Sequence, residues 1–456
     1  MTINEQFQYL NIGLPDRIMR RKTFGDFDGA IELIDAELAA GKGSDEYQAC
    51  LRVQKEMISR LGRDYPFTFE QAVAFAQKSI PDFTTEEFLA LEKAGRIDWI
   101  YIDGVPHCFN RFLENLCETD KSYAVRAGVV DEGGDYDNFA RRHELFDTLK
   151  KDGTIAHRIH IKATMKMHDD VFKPGVKVLA HLPIPAECPE QSEIRIERIF
   201  PENAKISAAD APQRTICWEE TMTENHSFEV EYSYIYRGKY TDAWGTEADA
   251  VQPSFCTEEL APHITFTPYI RNLTKVLTHG AANNLIKAQN IYDFVTKNVK
   301  YSFSRVYFGL ESIAETCARN LVGDCGIQAL LFITLCRCAG IPACWESGLA
   351  AGPDGVGAHD WSKIYVAPLG WFHVDLSRGG AAFARGDEEL RRYYFGNLEC
   401  DRMVANREFQ GAFEIDKKFW RCDPYDNQLG EMETDKHGLV YDEFDRSKVL
   451  VSYESV

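Results

Sequence analysis

Three residues far apart in the chain are of types that can do chemistry together: Cys325, His359 and Asp375. Cys325 follows Gly323-Asp324 and opens the apolar run Ile327-Gln328-Ala329-Leu330-Leu331-Phe332, which reads as a buried helix. A side chain at a helix start meets unpaired backbone N–H groups and the positive end of the helix dipole. A thiolate is favoured there, and a cysteine pKa of about 8.5 drops to roughly 3.5–7.5 in such places. His359 stands at the start of an alternating segment running to Val366, which reads as a strand. The aromatic strand Gly370-Trp371-Phe372-His373-Val374 delivers Asp375 at its end. Nucleophile, base and orienting acid on helix, strand and strand are the set that acyl transfer needs. Cys325 would attack a carbonyl. His359 would serve as base for the thiol and acid for the leaving amine, and Asp375 would hold the imidazole. The Cys325 backbone N–H is the natural first donor to the developing oxyanion.

The neighbouring candidates read more plainly. His373 lies two residues before Asp375 on the same strand face and competes with His359 as base. Asp324 reads as the helix cap, Gln328 as a packing residue or local hydrogen bond, and Asp360 as a solvated or substrate-facing acid. The other twelve cysteines read as small buried hydrophobes. Cys336 and Cys338 would project about 200° apart on a helix, and with Cys344 they lack the paired cysteines or clustered histidines of a metal site. Neither a phosphate-binding loop nor a calcium loop is present, so no metal and no cofactor is expected.

The landmarks taken together resemble the transglutaminase-like superfamily. They are Gly323-Asp324-Cys325-Gly326 at a helix start, Gly340-Ile341-Pro342-Ala343 after it, His359-x-Trp361, and Gly370-Trp371-x-x-Val374-Asp375. The resemblance spans about residues 262 to 400, and the family's His-Ala-Trp is here His359-Asp360-Trp361. It implies a papain-like core that acts on amide bonds of peptides or proteins through a thioacyl intermediate. Water resolving that intermediate makes a peptidase or amidase; an amine makes a protein-glutamine transglutaminase. Hydrolysis is favoured, because superfamily members without calcium-site signatures are often hydrolases. Tyr301 is the implied side-chain oxyanion donor, since the family uses an aromatic from the segment before the catalytic helix; Trp361 and Asp360 are taken as substrate-binding. A non-catalytic interaction scaffold is the alternative of another class, and members that lose the triad take that course.

Composition narrows the setting. A chain of 456 residues is too long for one compact core. A formal charge of -20 makes nucleic acid or an anionic membrane a poor partner. Thirteen scattered cysteines read as reduced thiols. Met1-Thr2-Ile3-Asn4-Glu5-Gln6 has neither the basic region nor the apolar core of a secretory leader, and no apolar run approaches the roughly 20 residues of a membrane span. A cytoplasmic location is expected, with a peptide or protein as the substrate partner.

The elements that must position the site follow from periodicity. Residues 1–152 read as mostly helical, with Thr68-x-x-Gln71 and Thr84-x-x-Glu87 as capping boxes, Ser44 as another cap, and Asp98–Gly104 as a short strand or hairpin arm. Asp131-Glu132-Gly133-Gly134-Asp135 reads as a loop before the last helix. Over 153–250, Ile159, Ile161, Ala163, Met165 and Met167 alternate with polar residues, and so do Phe228, Val230, Tyr232, Tyr234 and Tyr236. Several such strands between Pro, Asn and Asp turns predict a β-sandwich domain. The catalytic core is placed at 258–400, and 401–456 forms a β-rich tail with strand-like runs at Gly438–Tyr441 and Val449–Val451. The fold class expected is α+β: helical N-terminal region, β-sandwich, papain-like catalytic core and a short β C-terminal tail.

Overall fold

The structure is a computed structural model describing residues 3–130 and 139–456. The expected loop at Asp131–Asp135 lies outside the described residues. The chain forms two compact units rather than four consecutive segments. The first comprises Met1–Asp137, Leu260–Pro262 and Tyr301–Ser312; the second comprises Asn138–Glu259, His263–Lys300 and Ile313–Val456.

The first unit is helical, as its caps dictate. Ser44 accepts from Tyr47 N–H at the start of Asp45–Leu61. Thr68 and Gln71 form the full reciprocal capping box of Phe69–Ala76. Thr84 caps Thr85–Lys93 by accepting from Glu87 N–H, and the Thr84 backbone is among the partners of the Glu87 carboxylate. That carboxylate also accepts from Arg126 and Tyr123. Trp99–Ile102 pairs with Val105–Cys108 as a hairpin.

In the second unit the helix Phe139–Asp152 leads into Thr154–Met167, where every second residue from Ile159 to Met167 is buried. This strand pairs with Phe228–Lys239 on one side and Phe444–Ser455 on the other, with Gln191–Phe200 completing a four-stranded antiparallel sheet. A second four-stranded sheet orders Glu431–Thr434, Val176–Pro183, Thr215–Met222 and Lys205–Ile206. Side chains of both sheets, among them Ile161, Met165, Trp218, Tyr232 and Met432, belong to one apolar cluster. Fully burying an aliphatic side chain of this size contributes about 1.5–3 kcal/mol.

The third element is the five-stranded antiparallel sheet that carries the site. Its order is Phe395–Gly396, Gly370–Val374, Gly355–Val366, Ala343–Gly352, Arg402–Asn406. The helix Cys325–Cys338 packs on its two central long strands. Eleven of that helix's fourteen residues are buried, which explains its apolar character all round. The tail beyond 401 is not a separate module. Arg402–Asn406 edges the site sheet, while Glu431–Thr434 and Phe444–Ser455 each join one of the other two. Of the expected tail strands, Val449–Val451 lies within Phe444–Ser455, and Gly438–Tyr441 lies outside the strands.

Candidate active site

Cys325 is the first residue of its helix. Asp324 caps that helix by accepting from Ile327 N–H at 3.1 Å, and Gln328 bonds locally to the Gly323 carbonyl at 2.9 Å. The thiol is half-buried. His359 and Asp360 are consecutive residues of Gly355–Val366. Gly348 pairs with His359 on the neighbouring strand, and an added Cβ there would run into the Met403 carbonyl of the edge strand. Asp375 ends Gly370–Val374 and caps the following helix, Leu376–Ala384, accepting from Arg378 N–H at 3.0 Å.

The structure brings His359 and Asp375 together: His359 Nε2 lies 2.8 Å from Asp375 Oδ2. The same oxygen accepts from Arg402 Nη2 at 2.8 Å, and Arg402 also bonds Glu399 at 2.5 Å. All four side chains are buried, Asp375 completely. Burial alone would push the Asp375 carboxyl up, but His359, Arg402 and Arg378 outweigh it and hold it well below the usual carboxylate range. For His359 the balance runs the other way. Burial outweighs the attraction of Asp375 and lowers its pKa to about 4, so the resting imidazole is neutral.

Cys325 has a different partner from the one its position suggested. Its thiol donates to Asp360 Oδ2 at 3.2 Å rather than to His359. Burial pushes the thiol well above its usual value, and Asp360 and Asp324 add to the rise. The resting sulfur is therefore protonated, not a thiolate. The reason is one of magnitude: a helix terminus favours an anion by about 0.3–1 kcal/mol, less than burial beside two acids costs. Asp360 is not solvated either; it is 5% exposed. Gln428 donates to its Oδ1 at 2.5 Å and to the His359 carbonyl at 3.0 Å.

Trp361 leaves no surface for a substrate. It is completely buried, its indole N–H donates to Glu346 at 2.9 Å, and it belongs to the shared apolar cluster. Tyr301 ends the short strand Lys300–Tyr301 and meets Phe303 edge-on at 5.4 Å. His373 turns to Glu346 at 3.3 Å, on which Lys363 also closes at 3.0 Å. Among the described residues Glu190, Glu346 and His373 form a group able to hold a cation, and the Lys363 ammonium already bonds both carboxylates. Sequence reasoning missed Glu399, at the end of the expected core, and Arg402 and Gln428 beyond it; no motif marks any of them.

Residues 271–376 match the family described as the transglutaminase-like superfamily. Among solved structures, the chain is similar to a candidate cysteine protease from Cytophaga hutchinsonii, at 14% identity over 66% of this chain and 91% of that one, with a TM-score of 0.39. It is also similar to the periplasmic domain of TgpA from Pseudomonas aeruginosa, at 13% identity over 55% and 96%, with a TM-score of 0.27. No curated protein gives a match. No helix among the described residues is long and apolar enough to cross a membrane. Cys325, His359 and Asp375 all fall within the segment that matches the transglutaminase-like superfamily, residues 271–376.

Proposed function

We propose that this protein is a cysteine-dependent acyl-transfer enzyme acting on amide bonds of peptides or proteins, and that it works chiefly as a hydrolase. The observations that carry the reading are the buried His359–Asp375–Arg402 set and a helix-start cysteine whose thiol bonds Asp360, the residue next to His359. A structural histidine has no need of an anion held so firmly; an imidazole that must become cationic for a moment does. The bond from Nε2 to Asp375 leaves Nδ1 as the nitrogen that takes the thiol proton. Because thiol and imidazole both rest neutral, the sulfur turns from Asp360 toward His359 as substrate arrives, and proton transfer accompanies attack. The C–N bond then breaks as the imidazolium protonates the leaving amine. Water, activated by the same His359, cleaves the thioester.

We further propose that the paired four-stranded sheets form a β-sandwich beside the catalytic sheet, and that thirteen free cysteines suit a reducing compartment such as the cytoplasm. The test is incubation with a glutamine-containing peptide, with and without an added primary amine. Mass spectrometry should find the hydrolysed peptide without amine, and no product with Cys325→Ala. Ammonia released only when amine is present would make the protein a transglutaminase instead. Turnover that survives Cys325→Ala would remove the cysteine mechanism altogether.

A further inference from the structure

The residue next to His359 has a chemistry of its own. Asp360 is 5% exposed and Asp426 is 4% exposed, and their carboxyls are hydrogen-bonded to each other. Two carboxylates have no proton to place between them, so such a bond requires one of the pair to be a neutral acid. The rest of the setting says which. Asp426 accepts from Ser347 Oγ at 2.6 Å, and Arg421 bonds its backbone carbonyl at 2.7 Å. Facing Asp360 are Asp324 and Cys325 from the nucleophile helix and Asp426 and Gln428 from the 423–428 segment. The two of these that can carry a negative charge beside it at neutral pH are both acids. Burial, then Asp426, then Asp324 push the Asp360 carboxyl well above the ordinary range. Asp423 stands behind Asp426 and is raised in the same way. Gln428 fixes Oδ1 as an acceptor at 2.5 Å, and Oδ2 faces the sulfur at 3.2 Å. The next atoms beyond that sulfur in a thioacyl adduct are the acyl carbon and its oxygen.

We propose that Asp360 is a catalytic residue that works as a neutral carboxylic acid, donating a hydrogen bond to the substrate carbonyl oxygen as Cys325 attacks, with Asp426 keeping the proton on the pair. The proposal rests on the cysteine-enzyme reading above. In the step, the S–C bond forms, the thiol proton passes to His359, and the carbonyl π electrons move onto oxygen. Asp360 keeps its proton and redirects its hydrogen bond from Asp426 to that oxygen. When the carbonyl re-forms, the amine leaves with the proton from His359 and the Asp360–Asp426 bond returns. A neutral acid suits this place because a carboxylate would repel the oxyanion. A buried carboxylic acid held neutral so that it can donate is a known way to stabilise one.

The experiment has two readouts. The first is infrared spectroscopy of the whole protein at pH 7: the stretch of protonated buried carboxyls is expected, and it should lose intensity in Asp360→Asn; a band that Asp360→Asn leaves unchanged overturns the proposal. The second is the pH profile of Cys325 acetylation by p-nitrophenyl acetate. Wild type should lose rate on the alkaline side as the pair ionises. Asp360→Ala should fall by about 10²–10³, the size of one oxyanion donor. Asp360→Asn, which keeps a donor but cannot ionise, should recover a larger share and lack that alkaline limb. A missing protonated carboxyl at pH 7, or an Asp360→Asn profile with the wild-type limb intact, overturns the proposal. A Cys325 that p-nitrophenyl acetate never acetylates overturns the cysteine-enzyme reading beneath it, whatever the infrared band shows.

Discussion

Protonating His359 should cost this protein stability. Its folded pKa is lowered to about 4, chiefly by burial, against about 6.5 in an unfolded chain. The sign follows directly. The unfolded state binds the proton first, so this contribution is complete above pH 6.5, is lost as pH falls toward 4, and levels off below that. The gap corresponds to about 3 kcal/mol at 1.36 kcal/mol per tenfold step, and His359, 7% exposed, is shielded enough from solvent for that figure to stand. His359→Gln keeps a donor toward Asp375 but does not titrate. Urea unfolding of both proteins at pH 7.5 and pH 4 gives the difference: wild type should lose about 3 kcal/mol more than the variant. The same shift places the acid limb of activity near pH 4. An equal loss in both proteins, or a greater loss in His359→Gln, would refute the reasoning. The latter would mean that a folded imidazolium is paired with Asp375 at neutral pH.

Three further outcomes follow from the same contacts. Cys325, protonated and facing acids, should not outrun the other thiols toward iodoacetamide at pH 6, and its labelling should climb only on the alkaline side; peptide mapping that finds it modified first at pH 6 would contradict this. Arg402→Met strips the cation from buried Glu399 and should cost about 3–5 kcal/mol of unfolding free energy, with a loss below about 1 kcal/mol counting against a shared network. Trp361→Phe removes the bond to Glu346 and should cost about 1–3 kcal/mol while leaving KM unchanged; a large rise in KM would show that the indole touches substrate after all.

Much of this was legible because some patterns admit few readings. The alternation from Ile159 to Met167 has one solution, a strand with one face inward, and it took that form. Cys325, His359 and Asp375 each stood at the end of an element in the sequence; the structure places Cys325 and Asp375 at helix starts, but His359 is inside Gly355–Val366, whose strand begins four residues earlier. What escaped notice depended on pairing between distant segments. Arg402 reaches Asp375 because its strand edges the site sheet, and nothing in residues 401–456 announces that partner. Gln428 and Asp426 arrive from irregular chain. The partner of the thiol was missed for a local reason. The acid beside the histidine bonds the thiol itself, and no motif marks that contact. Thr84-x-x-Glu87 shows what a local motif leaves out: Arg126, from another helix, also bonds the Glu87 carboxylate.

The account rests most heavily on a covalent bond at one sulfur. Rapid-quench intact-protein mass spectrometry with an activated peptide ester should show a single acyl adduct that maps to Cys325, is absent from Cys325→Ser and persists longer in Asp375→Asn. An adduct on another residue, or acyl turnover with none on Cys325, would contradict it.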